Sequence, residues 1–340
     1  MSINSPLVSV ILPVYGNCDY LQHSIRSILN QSVQDFEVII ILDSILITED
    51  FIIKNGLNDS RIKLLYGNGK GLSSALNIGI RNSTGRYIAR IDSDDISEFN
   101  RFELQIENIN NNNLDACGSF IKYFGSSNYT KKFPVSHNEI AFLMQFGTQV
   151  AHPSAMFRSS FFDEINYNEK YKQVEDLELW IRAILSGKLI GNVPHYLLKY
   201  RTHVNQASNR TKSEQNKIAS NLSHELSLEY FGDKYIKLFS KYNFGYNESM
   251  NAEDAFDFMS LYLKCANEIC LDNDINTLYF LSIFSRIKFY NVLYVFKFRN
   301  LAKSAKLKIS IVQISFFYIN NLLPKYISIK LVSTLKKIYK

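Results

Sequence analysis

Three carboxylates stand within four positions at Asp92-Ser-Asp-Asp95, directly after the apolar run Tyr87-Ile-Ala-Arg90-Ile91 that Gly85 opens. The run has the character of a buried strand in a parallel sheet, where both faces are covered and apolar/polar alternation is lost. In such sheets ligands bind beyond the carboxyl ends of the strands. Asp92, Asp94 and Asp95 therefore stand where a ligand is expected. Like charges crowded there repel one another, and burying them unpaired is costly. A divalent cation removes the conflict, and Mg²⁺ in particular is held by one or two carboxylates plus substrate phosphates. The competing account is a solvated acidic turn capping a helix over residues 96–110, and for an isolated Asp-x-Asp that account would prevail. A second carboxylate pair, Glu175-Asp176, opens a helical pattern beginning at Val174. Negative charge is favoured at a helix N-terminus, but capping explains only one of the two.

The surrounding pattern supplies the elements that would position these groups. Residues 7–12 form a first buried strand, ended by Pro13 and a turn at Gly16-Asn17. Asp19 is placed to cap a helix whose positions Leu21, Ile25, Ile28 and Leu29 share one face. Residues 36–42 are a second strand with Asp43 at its carboxyl end, followed by a helical segment near 48–55 and a strand at 62–66. The loop Gly67-Asn-Gly-Lys-Gly71 precedes a helix containing Ala75, Leu76, Ile78 and Ile80. This β-α-β-α-β-α-β order predicts a doubly wound parallel sheet with right-handed crossovers. Further on, a strand is expected over 115–124, a helix over 138–146 and an extended segment over 152–158. A helix then opens at Val174, with Leu177, Trp180, Ile181, Ile184 and Leu185 inward and Gly187 as its stop. A strand at 197–200 leads into Arg201-Thr-His203. The character changes after about Ser208, which divides the chain into residues 1–208 and a helical, basic region 209–340.

Bulk composition narrows the function classes. A 340-residue chain with 46% hydrophobic residues supports a large core. Four cysteines (Cys18, Cys117, Cys265, Cys270) show no paired spacing, which fits a reducing cytoplasm and no zinc site. The N-terminus reads as lacking a signal peptide, and no run of about 18 apolar residues suggests a spanning helix. The glycines at 67, 69 and 71 lack dinucleotide-fingerprint spacing and no Gly-Lys-Ser/Thr occurs, which discounts NAD and Walker-type ATP binding. Residues 281–340 hold twelve Lys/Arg and no Asp or Glu, whereas residues 1–280 carry 26 basic and 32 acidic groups. The residues between the C-terminal charges are apolar and aromatic, which favours an anionic membrane surface over nucleic acid.

Seven motifs occur in order: Val8-Ser-Val-Ile-Leu-Pro13-Val14-Tyr15, Gln31 with Phe36-Glu-Val-Ile-Ile40, Ala75-Leu-Asn-Ile-Gly79, Gly85 to Asp95, His152-Pro-Ser154, Glu175-Asp176 with Leu179-Trp180, and Tyr200-Arg-Thr-His203. Each is weak alone. In register, across residues 7–208, they resemble the family 2 glycosyltransferases of the GT-A fold, and most of all bacterial enzymes of O-antigen, capsule and exopolysaccharide synthesis. The resemblance implies an α/β catalytic domain that moves a hexose or N-acetylhexosamine from a UDP-sugar, with inversion, to a saccharide acceptor. That acceptor is often carried on a polyprenyl diphosphate lipid, which would place the work at the inner face of the plasma membrane.

By the same resemblance Asp92 and Asp94 match the Asp-x-Asp that holds Mg²⁺ or Mn²⁺, Asp95 a third acidic position that either supports the metal ligands from behind or contacts sugar, and His203 a histidine completing the metal site. Asp43 matches an aspartate that reads uracil, flanked by Pro13, Val14 and Tyr15. Gly71 and Arg90 fall in the nucleotide-sugar region. Arg201 matches either a phosphate contact or a structural ion-pair partner. Asp176 matches the catalytic base, with Glu175 orienting the site, while His152 and Ser154 line the sugar subsite. The sequence departs from the common pattern at Leu42-Asp43-Ser44-Ile45, where one carboxylate is missing, and at Phe99, where relatives often carry proline. Arg101 is kept, for the fold or the acceptor. Two other classes compete: a sugar-phosphate nucleotidyltransferase, which would want a basic Gly-rich loop after the first strand, and a non-catalytic sugar-nucleotide-binding scaffold.

Overall fold

The computed structural model describes residues 5–15, 19–43 and 58–203, with isolated positions from 218 to 305. The expected turn at Gly16-Asn17 and the helical segment near 48–55 lie outside the described residues. So does most of 209–340, where the described positions from 218 to 302 are helical. The chain divides into two compact units, Met1–Tyr230 and Phe231–Lys340.

The first unit is built on one sheet. Strands β1 (Val8–Val14), β2 (Phe36–Leu42) and β4 (Tyr87–Arg90) are buried along their whole length, and β3 (Ile62–Tyr66) forms one edge. Their sequences are near-continuous apolar runs because helices and loops cover both faces. Pairing runs parallel in the order β3-β2-β1-β4. Beyond β4 the sheet changes direction. Strand β8 (Met156–Arg158) is antiparallel to β4 and to β6 (Ala116–Gly125), which pairs parallel with the long β9 (Ile190–Thr202). Short β5 (Ile96–Ser97) closes the far edge on β9, and β7 (Tyr129–Lys131) adds to β6. The parallel arrangement expected from the N-terminal pattern is found in β3-β2-β1-β4, and it continues into a mixed sheet.

Helix α1 (Leu21–Leu29) buries Leu21, Ile25 and Ile28 completely, which contributes about 2 kcal/mol for each side chain. Its N-cap is Tyr20 and no side chain caps it, so the capping expected of Asp19 is not found. Helix α2 (Leu72–Arg81) follows the glycine loop as expected. The helix predicted over 96–110 begins later, as α3 (Arg101–Asn111), because residues 96–97 are drawn into the sheet by β9. Arg101 at its start is buried and hydrogen-bonds Ser97, Gln105 and the carbonyls of Arg90 and Ala155, so it serves the fold. Helix α4 (His137–Met144) opens with a Ser136–Glu139 capping box. Helix α5 (Glu175–Leu185) buries Leu177, Leu179, Trp180 and Ile181, with Trp180 stacked on Phe157 at 5.3 Å. Leu185, expected inside, is exposed, and Gly187 stops the helix at φ +78°.

Candidate active site

The carboxyl ends of β1 and β4 open onto a cavity of about 620 Å³. Its floor and walls come from separate parts of the chain. Tyr15 follows β1; Gly69, Lys70 and Gly71 form the glycine loop; Arg90 and Asp92 end β4; and His152 and Pro153 occupy a 3₁₀ turn. Glu175 and Asp176 project from the first turn of α5, while Tyr123, Lys131 and Tyr200 come from β6, β7 and β9. Asp92, from the first carboxylate group singled out by sequence, thus shares one cavity with the second pair, Glu175 and Asp176, although they lie far apart in the chain.

Asp92, Asp94 and Asp95 each place a carboxylate oxygen within 4.8 Å of the others. Asp92 is drawn to Arg90 through a contact of 2.5 Å. Burial pushes the Asp92 carboxyl above the usual range, the Arg90 charge pulls it back, and Asp94 and Asp176 push it up again. Asp95 is almost wholly buried. Its Oδ1 accepts the Arg201 backbone N–H at 2.8 Å, and its Oδ2 has no hydrogen-bond partner. Burial and the neighbouring Asp92 and Asp94 charges hold its carboxyl well above the ordinary range. Asp94 meets His203 Nε2 at 3.0 Å. A buried carboxylate oxygen with no partner, two further carboxylates and an adjacent imidazole make a set of oxygen and nitrogen donors that fits a divalent cation.

Asp95 and Arg201 do not line the cavity, so of the roles open to them the ones that act from behind it, through the neighbouring acidic loop, are those the geometry favours. The Arg201 side chain instead donates from Nε to the Asp94 carbonyl at 2.9 Å, and its guanidinium lies 3.9 Å from the ring centre of Tyr20 and 4.3 Å from that of Phe124. That arrangement corresponds to the structural alternative: Arg201 ties the acidic loop to the end of β9. Asp94 and His203 are likewise grouped beside Asp92 without lining the cavity.

Of the residues assigned to the uracil base, Tyr15 lines the cavity, whereas Pro13, Val14 and Asp43 are buried and do not. Val14 is in the core, and its carbonyl accepts the Asp43 N–H at 3.0 Å. Asp43 Oδ1 accepts the Gly69 N–H at 2.8 Å, which pins the glycine loop to the end of β2. Only glycine fits at position 67, because a Cβ there would lie 2.1 Å from Asp43 Oδ1. Gly71, at φ +100°, starts α2 in a backbone region that side chains disfavour.

His152 lines the cavity, and its Nε2 is 2.7 Å from the Tyr167 hydroxyl. Burial and the Arg90 charge drive its pKa well down, so the ring is neutral. Ser154, expected beside it in the sugar subsite, is buried outside the cavity. Its hydroxyl donates to the Ala151 carbonyl and accepts the Ser119 N–H, a structural task. Asp176 is half-buried, and its Oδ1 accepts the Leu177 N–H at 2.8 Å. Burial raises its carboxyl, opposed by the Leu177 hydrogen bond and the Arg90 and Lys131 charges. Glu175 is raised to about 7, first by burial and then by the Asp176 charge.

Sequence reasoning missed Lys131, Tyr123, Tyr167 and Asn77. Lys131 and Tyr123 belong to a hairpin whose second strand is three residues long, too short to leave a pattern. Asn77 binds both peptide groups of Tyr167, donating to its carbonyl at 2.9 Å and accepting its N–H at 3.0 Å across 90 positions. No local signal marks such a pair.

Comparison with known proteins agrees with this geometry. A model described as "Glycosyl transferase family 2" matches residues 9–166. The chain is 32% identical over 247 residues to an uncharacterized glycosyltransferase of Haemophilus influenzae, spanning 68% of this chain and 76% of that protein. It is 33% identical over 208 residues to the O-antigen biosynthesis glycosyltransferase WbnJ of Escherichia coli, covering 58% of this chain and 80% of WbnJ. S. aureus TarS 1–349, solved in complex with UDP, superposes with a TM-score of 0.54 at 13% identity over 92% of this chain and 90% of that one. Its complex with UDP-GlcNAc superposes with a TM-score of 0.55. At that identity the likeness speaks for the fold, whereas the relatives in sequence speak for the kind of enzyme. The chain belongs to the family 2 glycosyltransferases and adopts the GT-A fold.

Proposed function

We propose that the protein is an inverting, metal-dependent hexosyltransferase. It takes a hexose or N-acetylhexosamine from a UDP-sugar and places it on a saccharide acceptor in the assembly of a surface polysaccharide. The observation that carries this reading is the shared cavity: Asp92, at the edge of the acidic cluster, and Asp176 both line it and are near enough to feel one another's charge, so a leaving diphosphate and an attacking hydroxyl can be served within one site. The WbnJ likeness supports the polysaccharide context, and the UDP and UDP-GlcNAc complexes of the structural neighbour support the donor class.

Asp92 and Asp94 would hold Mg²⁺ or Mn²⁺ with His203, and Asp95 would support the site from within the fold. When bound, the cation supplies Lewis-acid neutralisation of charge developing on the departing diphosphate. Arg90 restrains Asp92 and brings a buried positive charge to the same end of the cavity. Asp43 and the peptide edge at Pro13, Val14 and Tyr15 receive the base, with Gly71 beside the diphosphate. His152, neutral and anchored by Tyr167, offers a hydrogen bond to the donor sugar.

Asp176 takes the proton of the acceptor hydroxyl as the new glycosidic bond forms. The Leu177 N–H fixes one of its oxygens, and partial burial strengthens its basicity relative to a free aspartate. Glu175, sharing the same turn, orients the site. The test is a donor panel followed by UDP release, with and without Mn²⁺, for the wild type and Asp176→Asn. The variant is expected to bind UDP with near-normal affinity and to lose at least about a hundredfold in kcat, the scale of general-base removal. Unchanged turnover rejects the base assignment, and failure of the wild type to bind any sugar nucleotide at saturating metal rejects the function.

The same reading extends to the acceptor's carrier and location. The basic, aromatic residues 281–340 fit an anionic bilayer surface, where an acceptor on a polyprenyl diphosphate lipid would be met at the cytoplasmic face. Among the described residues no helix is long and apolar enough to cross a membrane.

A further inference from the structure

The cavity has two chemically different sides. The donor-facing groups belong to β1, β4 and the loop after β3. In the sheet order β3-β2-β1-β4-β8-β6-β9-β5, strand β8 separates them from the groups on β6 and β9. On that second side Tyr123 and Tyr200 line the cavity and meet edge to face at 5.2 Å, and Tyr129 stacks on Tyr123 at 4.1 Å. Phe133 lies buried in the same wall. Rings held by one another beside an open cleft suit the C–H face of a pyranose, which can stack on them and leave its hydroxyls free.

Lys131 adds a charge to this wall. It is exposed, lies on the β7 edge, and its Nζ is 4.5 Å from the centre of the Phe133 ring. No carboxylate among the described residues forms an ion pair with it; its surroundings lower the ammonium's pKa by desolvation, and the nearby Asp176 charge raises it back in part. An ammonium group held over a ring, with no carboxylate ion-pair partner among the described residues and near the proposed base, is complementary to an anion arriving with the substrate.

We propose that Tyr123, Tyr200 and Lys131 form the acceptor subsite, and that it takes a saccharide bearing a carboxylate or phosphate on, or next to, the ring presented to Asp176. The inference rests on the transferase reading above. In the full-length protein, with saturating UDP and Mn²⁺ to occupy the donor side, affinities are measured for methyl β-glucoside, methyl β-glucuronide and glucose 6-phosphate. At least one anionic saccharide is expected to bind about tenfold tighter than the neutral one, in line with a charge-assisted hydrogen bond. The glucuronide and phosphate arms tell which anion is preferred. Lys131→Met should erase that difference while UDP affinity stays within about twofold. Tyr123→Ala should weaken all three saccharides, and Tyr123→Phe should restore them. Equal affinities in the wild type, no binding of either anionic saccharide, or a difference that survives Lys131→Met overturns the proposal. Loss of UDP binding in the wild type instead removes the transferase reading on which it rests.

Discussion

Glu175 and Asp176 are neighbours in the chain and competitors for water. Glu175 is only 8% exposed, and its carboxyl is raised to about 7 from an ordinary value of 4.5. The folded state therefore holds this proton more tightly than the unfolded chain does. Stability is unaffected below the unfolded value, falls as pH climbs from about 4.5 to 7, and stays reduced above that. Replacing the group with an uncharged isostere removes the loss. Glu175→Gln is expected to be more stable than the wild type by about 2 kcal/mol at pH 8 and indistinguishable from it at pH 4, as read from urea midpoints. An equal gain at both pH values would show that the side chain is not strained by its charge. The same burial that makes Glu175 costly keeps a proton-accepting pair in place at the start of α5.

Among the elements, the loop joining β3 to α2 has the narrowest tolerance. Gly67 N–H continues the ladder to the Leu42 carbonyl at 2.9 Å, and two residues later Gly69 reaches Asp43. Gly67→Ala would thrust a methyl group into that carboxylate. The expected result is about 1–3 kcal/mol of lost stability, typical of overpacking, with UDP affinity reduced at least about tenfold. Retained UDP affinity would show that Asp43 does not read the base. How far such elements could be read from sequence depended on their surroundings. Strands β1, β2 and β4 are covered on both faces, so their apolar runs announced them, and Asp92 followed from the strand end it occupies; Asp176 needed the family resemblance, because a helix start alone explains an acidic residue there as a cap. Strand β5 is two residues long and exists through its pairing with Lys199 and Leu198. Local preference at residues 96–100 could not anticipate a partner about 100 positions away, and the helix was placed too early as a result. The tie from Arg201 to Asp95 and Asp94 spans 106 and 107 positions. A motif match shows which residue types are present, but not that a guanidinium is spent on backbone and rings.

For the whole molecule the controlling quantity is charge separation: an acidic majority of the chain and a final sixty residues with no carboxylate. The full-length protein should float with vesicles rich in anionic lipid at low salt. It should remain behind with neutral vesicles, and should release as ionic strength rises and the Debye length shrinks to several ångströms. Failure to float at low salt removes the membrane assignment while leaving the transfer chemistry intact.

Asn77 grips only the peptide units of Tyr167, never its ring. The phenol can therefore be exchanged without loosening the clasp, and the clasp can be cut without altering the phenol. Engineers seeking new donor preferences have here a tool in a fixed holder: the buried ring packs on Phe162 and His152, so a replacement of similar volume changes the histidine's partner while α2 continues to set where it is mounted.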